Sequence, residues 1–254
     1  RMEVTPGVWL DARRAVWLEG HRALLVADVH LGYVWAERQR GALLPLVEED
    51  AGPRLLELAR AYPVERVIFL GDVVHATARN HVLEDELRGV LETLGQCAEL
   101  TFVLGNHDEQ LPAMLERVGA RQSTTRRLRL GSHVLVHGDA VGWEEVSGEL
   151  AGEGMVFSGH EHPAVRLGDG VATEVKVPAF VVGPRHVVLP AFSRWSAGQP
   201  FGRQAPLSSL VDPAKFRRAV GVLGHRLLPL ELLPDGRVLP LRPSGVGGLA
   251  RDPC

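Results

Sequence analysis

Five short polar groups, each placed directly after an apolar run, carry residue types that bind cations and move protons. They are Asp28-Val29-His30, Gly71-Asp72-Val73-Val74-His75, Gly105-Asn106-His107-Asp108, His137-Gly138-Asp139 and Gly159-His160-Glu161-His162. Six of the eleven histidines lie in these groups. Taken singly, each group reads as a turn, a helix cap or a hydrogen-bonded core histidine. Five in this order on one chain point instead to a shared site, because α/β folds bind ligands at the carboxyl ends of their strands.

Imidazole and oxygen ligands without thiolate suit Mn²⁺, Fe²⁺ or Zn²⁺. Two such ions, roughly 3.5–4 Å apart, need a carboxylate between them, and Asp72 is central in the series. A pair of this kind makes hydroxide available near neutral pH and neutralises the oxygens of a phosphate ester. That combination is what phosphoester hydrolysis requires.

The elements that must position these groups alternate in the first half. Apolar runs at 22–28, 66–72 and 100–106 read as buried strands. Segments 45–62, 82–95 and 110–119 have helical spacing, with Gly52-Pro53 expected to break or restart the first helix. This order predicts a mainly parallel sheet covered by helices. The second half predicts strands with few helices between them, beginning with a hairpin about Gly131-Ser132. Residues 196–206 read as a loop, and 211–220 as a short helix with Asp212 as N-cap and Pro213 in the first turn. Residues 226–242 read as a hairpin turning at Pro234-Asp235-Gly236. Two sheets packed face to face in one domain over residues 1–254 is the simplest architecture.

Bulk properties narrow the setting. The 254 residues are 45% hydrophobic and 23% charged, which is globular composition with ample core. A net charge of −3 argues against nucleic-acid binding by bulk charge, but not against a local basic patch. Cys97 and Cys254 have no metal spacing and fit a reducing compartment. No apolar stretch is long enough to span a membrane, and the start lacks a signal-peptide core, so a cytoplasmic protein is expected. Arg1 before Met2 reads as a residue left by tag removal.

The ordered set D-x-H, G-D-x-x-H, G-N-H-D, H and G-H-x-H resembles the calcineurin-like metallophosphoesterase superfamily over about residues 22–193. The resemblance implies a four-layer αββα sandwich of two mixed β-sheets with two divalent ions at the strand ends. It implies that Asp28, His30, Asp72 and His162 hold one ion, and that Asp72, Asn106, His137 and His160 hold the other. His107 would contact the scissile phosphate and protonate the leaving oxygen, with Asp108 orienting it. His75 would lie near the site without binding metal, and Glu161 and Asp139 would support the ligands. A narrower likeness, carried mainly by "PAFVVGPR" and "VLPAF", is to ligase-associated bacterial phosphoesterases of the PdeM type. It implies manganese, with zinc or iron as alternatives, phosphodiesterase or nuclease activity, DNA as substrate, and DNA-repair ligase or helicase proteins as partners.

Phosphate-positioning cations should then flank the site. Arg38, Arg40, Arg185 and Arg194 are the candidates, with Trp195 placed to stack on a base and a basic cluster at Arg121, Arg126, Arg127 and Arg129. The competing readings are a small-molecule phosphoesterase and a non-catalytic scaffold on the same fold. The complete ligand set opposes the scaffold. A dimer is the base-rate expectation.

Overall fold

Three short strands precede everything the periodicity assigned. β1 (Met2–Thr5), β2 (Val8–Asp11) and β3 (Ala15–Leu18) form an antiparallel meander in the computed structural model, which describes residues 1–44, 51–75, 81–168, 174–196 and 198–241. Short turns join them, and two-strand connections of that length can only be antiparallel. β3 is buried along its whole length, which hides the alternation that would reveal a strand.

β3 pairs antiparallel with β4 (Ala23–Val26), and from there the sheet turns parallel through β5 (Arg66–Leu70), β6 (Glu99–Val103) and β7 (Ser123–Thr125). The order is β1-β2-β3-β4-β5-β6-β7. The first sheet is therefore mixed rather than mainly parallel. Crossovers run through α1 (Tyr33–Gln39), α2 (Ala51–Ala61), α3 (His81–Gly95) and α4 (Leu111–Arg117). α2 starts at Ala51, so Pro53 sits in its first turn, where its missing N–H is not needed. Residues 45–50 of the expected helix lie outside the described residues.

Among the described residues the second sheet has ten strands. β8 (Arg127–Leu130) and β9 (His133–Val136) form the expected hairpin, and the short α5 (Trp143–Ser147) leads to β10 (Val156–Ser158). β11 (Pro163–Gly168), β12 (Glu174–Val182), β13 (His186–Val188) and the two-residue β14 (Gln199–Pro200) follow. β15 (Arg218–Leu223), β16 (Arg226–Leu232) and β17 (Val238–Pro240) complete the sheet. Its order is β17-β16-β15-β12-β13-β10-β9-β8, with β11 on β12 and β14 on β11.

The expected helix over 211–220 is corrected. Asp212 does cap, accepting from Ala214 N at 3.0 Å, but only Pro213–Lys215 form one 3₁₀ turn. Residues 218–223 are instead a strand, held between β12 and β16. Burial follows period two there: Val220 and Val222 face the first sheet, and Ala219 faces outward. Two open strand edges outweigh the helical spacing. Hairpin residue 242 lies outside the described residues.

The core has three layers of contact. Leu10, Val16, Leu25, Ile68 and Val103 meet Leu135, Phe157, Phe180 and Val187 between the sheets. Helices α2 to α4 cover the other face of the first sheet through Leu55, Leu58, Leu87, Leu94 and Met114. A thinner layer of Val146, Leu210, Val211 and Phe216 covers the second sheet. β4, β5, β6, β9 and β10 all end on one side, each followed directly by one polar group. Among the described residues no helix is long and apolar enough to cross a membrane.

Candidate metal centre

Backbone shape marks the site first. Seven non-glycine residues among those described have positive φ, and five are Asp28, His30, Asp72, His160 and His162. Left-handed backbone off glycine costs roughly 1–3 kcal/mol and persists only where the surroundings enforce it. Here the loops enforce it on one another. Asp28 N donates to Gly71 O, His30 N to Asp72 O, and Phe192 N to Ala27 O, at 3.0, 2.9 and 2.8 Å. Glycines allow the close approach. A Cβ on Gly105 would lie 2.3 Å from Asp72 Oδ1, and one on Gly71 would lie 2.2 Å from His137 Nδ1.

The side chains converge in two groups that share Asp72. Within each group, Asp28, His30, Asp72, His162 and then Asp72, His137, His160, one ligand atom per residue lies within 4.8 Å of the others. In the first, His162 Nε2 is 3.1 Å from Asp28 Oδ1 and 3.4 Å from His30 Nε2. The far nitrogens of both rings are engaged: His162 Nδ1 with Ser196 Oγ at 2.6 Å, His30 Nδ1 with His75 Nδ1 at 3.3 Å. Partners of that kind orient a metal-binding imidazole.

In the second group, His137 Nδ1 donates to Leu70 O at 2.9 Å. Its Nε2 then faces His160 Nδ1 at 3.2 Å, Asn106 Oδ1 at 3.3 Å and Asp72 Oδ2 at 3.4 Å. Nitrogen and oxygen lone pairs crowded this closely repel unless a proton or a metal cation lies among them. Electrostatics agree. Burial alone would raise the Asp28 and Asp72 carboxyls, yet the histidines facing them hold both below the ordinary range. Burial opposes charge on His137, but its bond to Asp72 and the field of Asp28 hold its pKa up at about 10. A proton can fill the cation's place there. A divalent ion would reach all four ligands at once, so the donor set fits two hard-to-borderline divalent ions.

His107 stands apart. Its ring stacks on His75 with centroids 4.8 Å apart and is exposed, while its backbone N–H donates to Asp72 Oδ1 at 2.9 Å. Asp108 does not orient it, which corrects the sequence expectation. The Asp108 carboxylate is fully buried and accepts from Val73 N, Val74 N and Gly105 N at 2.9, 3.2 and 3.0 Å. It pins the Asp72 loop to the Asn106 loop.

A cleft of about 340 Å³ opens over these groups, lined by His30, Tyr33, His75, His107, His162 and Trp195 among others. The expected arginines are not among its lining residues. Arg40 pairs with Glu37 at 2.6 Å, Arg38 donates to Leu44 O, and Arg185 donates to Gly154 O and Gly152 O at 3.0 Å each. Their guanidinium groups are spent on local structure. Arg194 precedes Trp195, which lines the cleft. Arg127 pairs with Glu145 and Glu149, and Arg126 lies 3.9 Å from Asp139. Glu161 supports the His160–His162 loop by accepting from Leu207 N and Ser208 N at 3.0 and 2.8 Å. Tyr33 and Ser196 escaped the sequence reading. Only their nearness to His30 and Trp195 in the chain hinted at them.

Residues 22–184 match the calcineurin-like phosphoesterase superfamily domain, more than half of the chain, and the chain belongs to that superfamily. Members bind two divalent metals, and with its Asp and His cluster this chain is a metal-dependent phosphoesterase. Its fold is similar to the crystal structure of Pseudomonas putida nuclease MPE. The TM-score is 0.64 at 26% identity, over 88% of this chain and 94% of that one. No curated protein matches the sequence.

Proposed function

We propose that the chain hydrolyses phosphodiester bonds in DNA, with manganese as the working metal and a role in DNA repair. One observation carries the reading: His107 and two aromatic side chains, Tyr33 and Trp195, share one cleft with the metal-binding histidines. Aromatic faces accept bases of any sequence. The similarity to a protein described as a nuclease supports the substrate class. The likeness of the "PAFVVGPR" stretch to ligase-associated phosphoesterases supports the repair role and DNA-repair ligase or helicase partners.

In this reading Asp28, His30, Asp72 and His162 hold one ion, and Asp72, Asn106, His137 and His160 hold the other. The bound ions supply an activated water and neutralise phosphate oxygens. The protein's own groups do the rest. Leu70 O fixes the tautomer of His137, and Ser196 Oγ holds the His162 ring through Nδ1. The exposed His107 imidazole delivers a proton to the departing oxygen, and His75 holds that ring by stacking. Tyr33 and Trp195 receive the nucleotides either side of the scissile bond.

Purified protein with Mn²⁺ is offered labelled single- and double-stranded DNA beside cyclic nucleotides. Cleavage of DNA is expected. Turnover of cyclic nucleotides alone would replace this reading with a small-molecule phosphoesterase, for which a cleft of this volume is also large enough.

A further inference from the structure

A second and larger cavity, about 650 Å³, lies on the outer face of the second sheet. Its walls include Trp143, Pro184, His186, Leu210, Lys215 and Phe216, and the metal ligands are not among its lining residues. The volume and the apolar, aromatic walls are those of a small-molecule site. The Trp143 and His186 rings stack, with centroids 5.7 Å apart and planes inclined by 26°, and Phe216 tilts against His186 at 5.4 Å. These faces select a flat, unsaturated ligand.

Lys215 brings a cation to the lining. Its ammonium sits 5.8 Å from the Trp143 ring centroid, with no ion pair among the described residues. Two carboxylates, Glu144 and Asp212, and a second cation, Arg185, also line the pocket. Asp212 accepts from Ala214 N, Arg185 donates to two carbonyls, and Glu144 is exposed in the first turn of α5, so Lys215 is the lining cation with no ion pair or carbonyl bond among the described residues. A planar aromatic anion therefore fits this pocket, its ring on Trp143 and its acidic group on Lys215.

Two short paths join the pocket to the metal loops. His186 Nε2 bonds Ser158 Oγ at 2.8 Å, and Ser158 is followed by Gly159 and the ligand His160. The pocket wall at Ser209 and Leu210 continues into Leu207 and Ser208, whose N–H groups Glu161 accepts between His160 and His162. From this geometry we infer that the pocket binds a small planar aromatic anion and that its occupancy alters metal affinity at His160 and His162. The pocket stands without the catalytic reading. The coupling rests on the metal-centre reading.

Anilinonaphthalene sulfonate, an aromatic anion that fluoresces when it leaves water, is the probe. One saturable site is expected on wild-type protein, weakened about tenfold in Lys215→Glu and in Trp143→Ala. Lys215 is exposed, so its replacement tests the site even where loss of Trp143 disturbs the fold. Free Mn²⁺, read by its electron paramagnetic resonance signal, should report an affinity changed about threefold by saturating probe in wild type and unchanged in Lys215→Glu. Equal probe binding by all three proteins overturns the site. Site-specific binding with an unmoved Mn²⁺ titration overturns the coupling. Probe uptake by a protein that binds no Mn²⁺ contradicts the metal centre and the coupling together, and leaves the pocket standing.

Discussion

Adjacent residues in Gly105-Asn106-His107-Asp108 do three different jobs, and the difference lies in where each side chain points. Asn106 turns its amide oxygen to His137, His107 turns outward, and Asp108 turns inward to three backbone N–H groups. Removing the acceptor of buried donors costs roughly 1–3 kcal/mol for each group left unpaired. Asp108→Ala should therefore lower the thermal midpoint and loosen both metal loops. His107→Ala should leave the midpoint within error and cut hydrolysis of a poor leaving group about a hundredfold. Calorimetry beside turnover on activated and unactivated phosphodiesters separates the two. An Asp108→Ala protein as stable as wild type would restore the view that Asp108 serves His107. The chain order alone suggested that pairing, because neighbours in sequence are easily taken for neighbours in contact. Residue types pointed to a shared site at the five polar groups, and the structure brings Asp28, His30, Asp72, His137, His160 and His162 together there, since a metal site constrains chemistry; which residue would hold which ion came from the family resemblance. Residue types could not predict Asp108, since any buried carboxylate can serve either backbone or side chain.

Elements matter here through how closely their ends approach. A Cβ on Gly159 would stand 2.7 Å from both Ala27 Cβ and Asp28 Oδ2, and 3.1 Å from Leu70 O. None of these neighbours is the free end of a flexible side chain. Gly159→Ala should displace Asp28, weaken Mn²⁺ binding about tenfold and cost roughly 1–3 kcal/mol of stability, as overpacking does. Isothermal titration with Mn²⁺ and urea unfolding check both parts, and an unchanged Mn²⁺ affinity would show that the loops give way freely. The strands that carry ligands were legible because each is a short apolar run stopped by a polar group. The N-terminal meander was not, because β3 is buried on both faces. β15 was misread because its residues satisfy helical spacing as well, and only the edges of β12 and β16 decide between the two.

For the molecule as a whole, buried His186 links stability to acid. Burial pushes its pKa from 6.5 down to about 3. The unfolded chain takes up that proton as pH falls below the ordinary value, while the folded chain refuses it. Stability is thus fully present above about 6.5 and is lost progressively toward about 3, with a slope of up to ~1.4 kcal/mol per pH unit from this one group. Urea midpoints at a series of pH values, with a chelator to remove the pH dependence of metal binding, should fall more steeply toward low pH for wild type than for His186→Gln, in which the site histidines titrate alike. Parallel slopes would remove His186 from the account. The two-sheet plan has a different consequence in time. The proposed ligands run from Asp28 at the end of β4 to His162 beyond β10, and neither sheet alone supplies a complete set. During synthesis the first sheet emerges well before the second, and domains assemble as their parts appear. A nascent chain that has reached only β7 can offer Asp28, His30, Asp72 and Asn106, but none of the three later histidines. On the proposed ligand set neither ion has its full complement until the ribosome has delivered residue 162, so a product truncated before that point should bind metal weakly.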